Sequence, residues 1–494
     1  MLFNSLTFLV FFLIVLTVTY LSPAKLLKPI LLLASLIFYI WWYPPYIIVL
    51  LGVITLHYFC CIKIEDARIK AGVSISPKLV DNLKPSITIG REYLVFGVVL
   101  NMLILVGFKY IHFFTSIFGY TLPQDFKWAL PLGISFFTFH TISCTVDVYR
   151  GLATAKRNYI DFLFFVCYFP QLIAGPILRL KANWYALVNP KKPDYFRINE
   201  GIYLIFWGLL KKMVIADNLA LFVEKAFHSP QDLNFFFAWL AVYAFAVQIY
   251  CDFSGYIDTA IGISKIFYID LPKNFNFPYL SHSITEFWRR WHITLSTWLR
   301  DYLYIPLGGN HKGELRTSIN LFATMLLGGL WHGASLNFLI WGGLHGFYLS
   351  VEKIFNRQKD GEQSEQRYCE EGEARRGNPL LDIFKIALTF HVVCLAWVFF
   401  RAKTLTASIA YITQLFSFST KENLLTVDMQ NLVPQILTLI GVALVLHLLN
   451  YKINFKYNFY KYRREFRIAF LLLSVVLILI FGVKQEVRFI YFDF

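Results

Sequence analysis

Uncharged apolar runs long enough to cross a bilayer recur along this chain, at residues 1–24, 29–62, 128–146, 234–251, 317–351 and 429–451. Shorter ones lie at 93–108, 162–178, 386–400 and 468–483. Inside a bilayer no water satisfies backbone N–H and C=O groups, so a spanning segment must bond its own backbone as a helix. A crossing needs roughly 20 apolar residues, and the longest runs can hold a hairpin, which gives about 11 crossings. Composition agrees: 57% of the 494 residues are hydrophobic and 16% are charged, against about 25% charged in soluble domains. The expected fold is all-α and polytopic, a single membrane-embedded domain over residues 1–494.

Lys and Arg outnumber Asp and Glu 46 to 31, which could suggest nucleic acid or an acidic polymer. The basic residues, however, gather in connecting segments at 25–28, 63–91, 150–157, 179–197 and 452–467, the pattern of cytoplasmic loops under the positive-inside rule. No nucleic-acid partner is expected. The first charge is Lys25, so the N-terminus is read as extracytoplasmic, and so is the C-terminus; without a basic n-region the first span is expected to stay in place.

Flanking charges also place hairpins. Residues 29–43 and 46–62, separated by Pro44 and Pro45 and bounded by basic loops, read as a hairpin. Residues 162–178 hold Pro170, Gly175 and Pro176, and fit a re-entrant segment, because broken backbone at depth must be buried in protein or line a cavity. Residues 317–351 fall short of the roughly 40 that two full crossings need, so their turn at 331–335 is expected within the membrane. Residues 352–378, dense in Glu, Gln and Arg, read as a flexible cytoplasmic loop.

Within this apolar chain, EFWRRWHITLSTWLRDYLYIPLGGN at 286–310 and GGLWHGASLNFLIWGGLHG at 328–346 set His292 and His332 among tryptophans and arginines. A histidine kept at membrane depth is a functional candidate by default. A neutral imidazole can take a proton from a hydroxyl attacking a carbonyl, and Gly328, Gly329, Gly333 and Ala334 would let a substrate approach the backbone beside His332. The competing reading is a histidine bridging two helices. If 286–301 is helical, Trp288, Trp291, His292 and Leu295 share one face, while Arg289 and Arg300 reach Asp301, Glu286 or a phosphate. With Arg290 and Trp298 this could form a wall for an acyl donor, or only an interfacial helix with aromatic anchors. Asp252 and Asp258 could orient a histidine or line a polar path, or pair with Arg289, Arg290 or Lys265. Trp331 and Asn337 flank His332.

Other features carry less. The seven cysteines show no paired CxxC units and read as buried apolar residues. His228 to Asp232 matches a short HxxxD pattern that arises by chance, and 307–310 lacks the lysine of a phosphate loop. His112, His140, His345, His391 and His447 read as core histidines. No metal-ligand spacing occurs, so no metal is expected.

The chain resembles the membrane-bound O-acyltransferase family, in its alginate O-acetyltransferase-like bacterial branch. The resemblance rests on PLGISFFTFHTIS from 131, FPQLIAGPILR from 169, GLLKKMVIADNLA from 208, QIYCDFSGYIDTAIGI from 248, the two histidine motifs and FIYFDF at 489–494. It implies helices, re-entrant and amphipathic segments included, in a ring around a tunnel. Residues 1–125 would be N-terminal helices, 126–351 the catalytic core, 352–379 a cytoplasmic loop and 380–494 C-terminal helices. The family's catalytic histidine maps onto His332 and its second characteristic histidine onto His292. The chain departs from the family at His140, where similar proteins often carry Gln, and at Ser335 and Leu336, which replace the usual aromatic after WHGA.

The resulting expectation is an O-acyltransferase of the bacterial cytoplasmic membrane. It would move an acyl group, acetyl first, from a cytoplasmic thioester such as acetyl-CoA or an acyl carrier to hydroxyls of an exported polysaccharide or a relay protein, with His332 as general base. No cofactor would be bound permanently, and an extracytoplasmic SGNH-type acetyltransferase could complete the transfer. The alternatives are a teichoic acid D-alanyl transferase, a transporter and a catalytically silent scaffold. If the 331–335 turn lies within the membrane, a cysteine at Gly333 will react slowly with an impermeant maleimide added from outside; ready labelling would place the turn beyond the bilayer.

Overall fold

The computed structural model describes residues 1–72, 88–120, 130–363, 378–418, 427–453, 459–483 and 489–492. Among them every regular element is helical, with no strand. Five helices, Tyr46–Lys70, Arg91–Lys109, Phe235–Ile266, Pro379–Arg401 and the Gln430–Lys452 stretch, are long and apolar enough to cross a membrane, and Leu6–Leu21 and Leu405–Leu415 are shorter apolar helices. The chain forms two compact units. One comprises Met1–Leu209, Gly255–Pro272 and Phe459–Val476; the other comprises Leu210–Ser254, Lys273–Asn458 and Leu477–Phe494.

In the first unit, helices Leu27–Ile40 and Tyr46–Lys70 form the expected hairpin around Pro44 and Pro45. The second helix continues through Lys63 and Arg68, residues assigned above to a loop; the rest of that loop, 73–87, lies outside the described residues. Its His57 is fully buried and satisfied at both ring nitrogens, by Thr145 Oγ1 at 2.7 Å and Asn101 Nδ2 at 2.8 Å. Asn101 in turn donates to Thr141 and accepts from Thr138. Three helices are thus joined by a closed polar network, which suits an apolar environment because every member has a partner.

The proline-containing stretch is broken and wholly buried between 162 and 178. Helix Tyr159–Cys167 stops at Tyr168, a four-residue turn Phe169–Leu172 follows, and the chain then runs without helix. Gly175 sits where a Cβ would collide with the backbone of Gln171. This is the interrupted, protein-buried backbone its prolines and glycine imply.

In the second unit, helices Glu314–His332 and Leu336–Gln363 form a tight hairpin. A Cβ on Gly342 would strike the carbonyl oxygen of Met325 and one on Gly329 the carbonyl oxygen of Phe338, while the two glycines would meet at 3.1 Å. Small residues are what let two helix backbones approach this closely. The second helix runs to Gln363, well into the stretch read as a flexible loop, whose remainder at 364–377 lies outside the described residues. Two π-helical turns that periodicity does not reveal, Leu210–Ala216 and Arg300–Tyr304, interrupt neighbouring helices.

Gly342→Ala should lower the thermal unfolding midpoint of the purified protein, since the added methyl meets rigid backbone and overpacking costs about 1–3 kcal/mol. Gly343→Ala should be neutral or stabilising, because its Cβ would meet only the Phe322 and Leu326 side chains at ordinary distances of 3.6–3.7 Å. Equal midpoints for the two variants would remove the close approach as the reason for glycine at 342.

Candidate functional site: two histidines in an aromatic box

His332 is the last residue of its helix, because Gly333 turns the chain into an extended conformation. The imidazole is 4% exposed and walled by rings. Trp331 lies 4.9 Å away, Trp341 5.0 Å, Phe400 5.3 Å and Tyr491 5.6 Å between centroids, the first three edge-to-face. Edge-to-face packing holds a ring in one orientation by quadrupole complementarity. The base candidate therefore sits buried in a frame of rings.

His292 reaches the same frame by a different device. The expected continuous helix is broken: one segment, Ile284–Arg290, ends at Trp291 in extended conformation, and the next, Ile293–Leu299, starts after His292 at φ 43°. A left-handed residue bearing a Cβ costs roughly 1–2 kcal/mol, so the surroundings must enforce it. Asn274 does so. Its carbonyl accepts from Ile293 N at 2.9 Å, and its side-chain oxygen accepts from Thr294 N at 2.9 Å, Thr294 Oγ1 at 3.0 Å and His292 Nδ1 at 3.3 Å. A backbone N–H can only donate, which identifies the Asn274 atom as oxygen and makes His292 Nδ1 the protonated nitrogen. The fully buried ring packs on Phe253 at 4.8 Å and faces both Trp331 and Tyr491 at 6.3 Å. Trp331 and Tyr491 thus each touch both histidines.

The break redistributes the other candidates. Trp288 packs on Trp341 at 5.8 Å and donates its indole N–H to His345 Nδ1 at 3.3 Å, while Trp291 packs on Trp397 at 5.1 Å. Trp288 lies one ring behind the wall of His332, and Trp291 lies two behind it, since Trp397 packs on Trp341 and Phe400. Arg290 pairs with Glu286 at 2.5 Å and Arg300 with Asp301 at 2.6 Å, whereas Arg289 is exposed. Trp298 packs against Tyr302 at 5.2 Å. Asn337 is buried and donates to Ala402 O at 2.6 Å. The Asp252 partner is not any of the three cations expected above: its Oδ1 lies 2.7 Å from Lys212 Nζ, which also binds Asp217 at 2.7 Å. Lys265 instead pairs with Glu200 and Asp270 in the first unit, where Asp258 lies beside Tyr203.

Several site residues escaped the sequence reading. His345, read as a core histidine, is fully buried and hydrogen-bonded to Trp288, and lies 4.9 Å from Trp341. Asn274 has no local signal, because its role is set by a chain crossing. Tyr491 belongs to a motif noted only for resemblance. Of the other histidines set aside, His391 bonds Tyr243 at 2.9 Å, His140 packs on Phe165, and the His112 side chain lies outside the described residues. An apolar cavity of ≈ 580 Å³, lined by Tyr243, His391, His447 and neighbours, is separate, and neither His332 nor His292 lines it. Six cysteines are buried and unlinked; Cys369 lies outside the described residues. Among the described residues no cluster could hold a metal ion.

The description "membrane-bound O-acyltransferase family" matches residues 152–360. A probable alginate O-acetylase AlgI of Pseudomonas putida is 39% identical over 426 residues, 85% of this chain and 81% of that protein. The chain belongs to the membrane-bound O-acyltransferase family. It is an O-acyltransferase and a multi-pass integral membrane protein. A peptidoglycan O-acetyltransferase of Helicobacter pylori is 35% identical over 408 residues, covering 77% of this chain and 72% of that protein. A teichoic acid D-alanyltransferase of Bacillus subtilis is 28% identical over 283 residues, covering 55% and 69%. The family match spans His292, His332 and the glycine hairpin between its bounds.

Asn274→Ala should leave several buried donors without an acceptor, at about 1–3 kcal/mol for each one stranded, and release the backbone at His292. A lowered unfolding midpoint with lost acyl transfer is expected. Asn274→Asp, which retains the accepting oxygen, should recover more of both; no difference between the two would show that the oxygen does not hold the loop.

Proposed function

We propose that this O-acyltransferase moves an acetyl group from a cytoplasmic thioester, acetyl-CoA in the first instance, to hydroxyls of an exported cell-envelope polysaccharide or of a relay protein. The observation that carries this reading is the shared aromatic frame of His332 and His292 on a chain 39% identical to a probable alginate O-acetylase. His332 acts as general base. It accepts the proton of the acceptor hydroxyl as that oxygen attacks the thioester carbonyl. The tetrahedral intermediate collapses by expelling the sulfur, which receives the proton from His332, leaving an ester and a free thiol. Nothing is oxidised, and the imidazole is restored.

The frame suits this work. The rings of Trp331, Trp341 and Phe400 exclude water, which would otherwise compete as acceptor. His292, with Nδ1–H committed to Asn274, is set in one tautomer, so that its other nitrogen is directed by the fold rather than by solvent. In this reading His292 orients acceptor or donor beside the base, with Trp331 as the wall they share. Trp288, Trp291, Trp298, Arg289, Arg290, Asp301 and Asn337 support or line the approach. The location proposed with it is the bacterial inner membrane, with both termini outside the cytoplasm and an extracytoplasmic acetyltransferase of SGNH type as a partner in delivery.

A D-alanyl transfer to teichoic acid is the second reading, favoured by the match to the Bacillus subtilis enzyme. The lower identity and the smaller share of this chain it covers, 28% over 55%, rank it below acetyl transfer. His332→Ala should lower turnover by about 10²–10⁴-fold, the usual contribution of a positioned base, with expression and unfolding midpoint retained. The check is a gene deletion complemented with each variant, followed by mass spectrometry of base-labile esters on the envelope polymer. Acetate lost on deletion and restored only with His332 supports the proposal; released D-alanine selects the second reading, and esters unaffected by His332→Ala overturn the base assignment.

A further inference from the structure

The Leu210–Ala216 turn is π-helical, a rare conformation that recurs at functional positions because its extra residue redirects side chains. Here Lys211 and Lys212, adjacent in sequence, are both buried at 9% exposure. Lys211 donates to Ser254 Oγ at 2.8 Å, and Lys212 lies between Asp217 and Asp252, 2.7 Å from each. A buried cation between two carboxylates is costly to assemble and would be poorly explained as simple stabilisation. Its geometry shows a further use.

The second oxygen of Asp252, Oδ2, accepts the backbone N–H of Ile490 at 2.8 Å. That bond holds a short segment whose neighbouring side chains, Phe489 and Tyr491, pack against Phe253 at 5.6 and 4.4 Å. Tyr491 also meets His332 at 5.6 Å and His292 at 6.3 Å. Next to Asp217, Asn218 Nδ2 donates to the Phe481 carbonyl at 2.8 Å, so the same short stretch grips the chain ahead of the segment as well. We infer that Asp252, oriented by Lys212, is a positioning residue that seats residues 489–491 against the two histidines. A tunnel-lining role for Asp252 is not needed: one oxygen is engaged by the lysine, the other by the backbone amide. Only the activity readout below rests on the acyl-transfer reading.

The seat is tested from the segment's side, where the Lys212–Asp252–Asp217 triad stays intact. Ile490→Pro removes the N–H donor, and Phe489→Cys in the same chain reports shielding through its rate of maleimide labelling in native membranes. Phe489→Cys alone should label slowly, and adding Ile490→Pro or Asp252→Ala should speed labelling; Asp252→Asn, which keeps an oxygen acceptor, should fall between Phe489→Cys and Asp252→Ala. In parallel, thiol release from acetyl-CoA should drop at least about tenfold in Ile490→Pro, as small misplacements in an active site do, with KM for acetyl-CoA little changed. Unchanged labelling in an Ile490→Pro protein that remains folded by size exclusion and thermal unfolding overturns the seat, whatever becomes of Asp252→Ala. A drop in KM-sensitive binding alone, with kcat retained, overturns the placement against the histidines. Should the wild type release no thiol from acetyl-CoA, the donor reading fails, while labelling still decides the seat.

Discussion

The backbone approach between Gly329 and Gly342 is the contact on which the rest of the site depends. Lipid supplies no hydrophobic force to press helices together, so association must come from close packing. The glycines allow it, and the hairpin they form ends one helix at His332 and begins the next four residues later. Trp341, one residue before the second glycine, is thereby carried onto the imidazole of His332 and also onto His345. His332 and its aromatic wall are positioned by one contact.

A second constraint, the satisfaction of polar groups away from water, shapes what surrounds that hairpin. His292 occupies a left-handed conformation because Asn274 gathers the donors exposed by the helix break. Lys212 is buried between two carboxylates, and one of those carboxylates holds the amide of Ile490. In each case a polar group at low dielectric is costly unless fully partnered, and the partner comes from a distant part of the chain. The polar groups in the apolar interior therefore become long-range ties.

For an acyl transfer these ties have a chemical meaning. In the proposed acetyl transfer the thioester would already be activated by its leaving group, so the enzyme's task would be to hold base, acceptor and carbonyl in line and to keep water out. The frame of rings around His292 and the buried His332 suits that proposed task. The relatives named as acetylases and acetyltransferases are O-acyltransferases like this chain, and the family match of this chain includes both histidines.

Much of this was written locally. Apolar run length determined the all-helical membrane class, Pro170 and Gly175 marked the broken buried stretch, and the WHG and WRRWH motifs named the two histidines, because spanning length, helix breaking and a costly buried imidazole are properties of neighbouring residues. Tertiary structure decided the rest. The break at His292 cannot be read from 286–301 alone, since Asn274 imposes it through space. The pairing of Asp252 with Lys212 in place of Arg289, Arg290 or Lys265, and the arrival of Tyr491 beside His332, depend on which chain segments cross. Hydrogen bonds and ring contacts act over a few ångströms, and sequence separation does not report that distance.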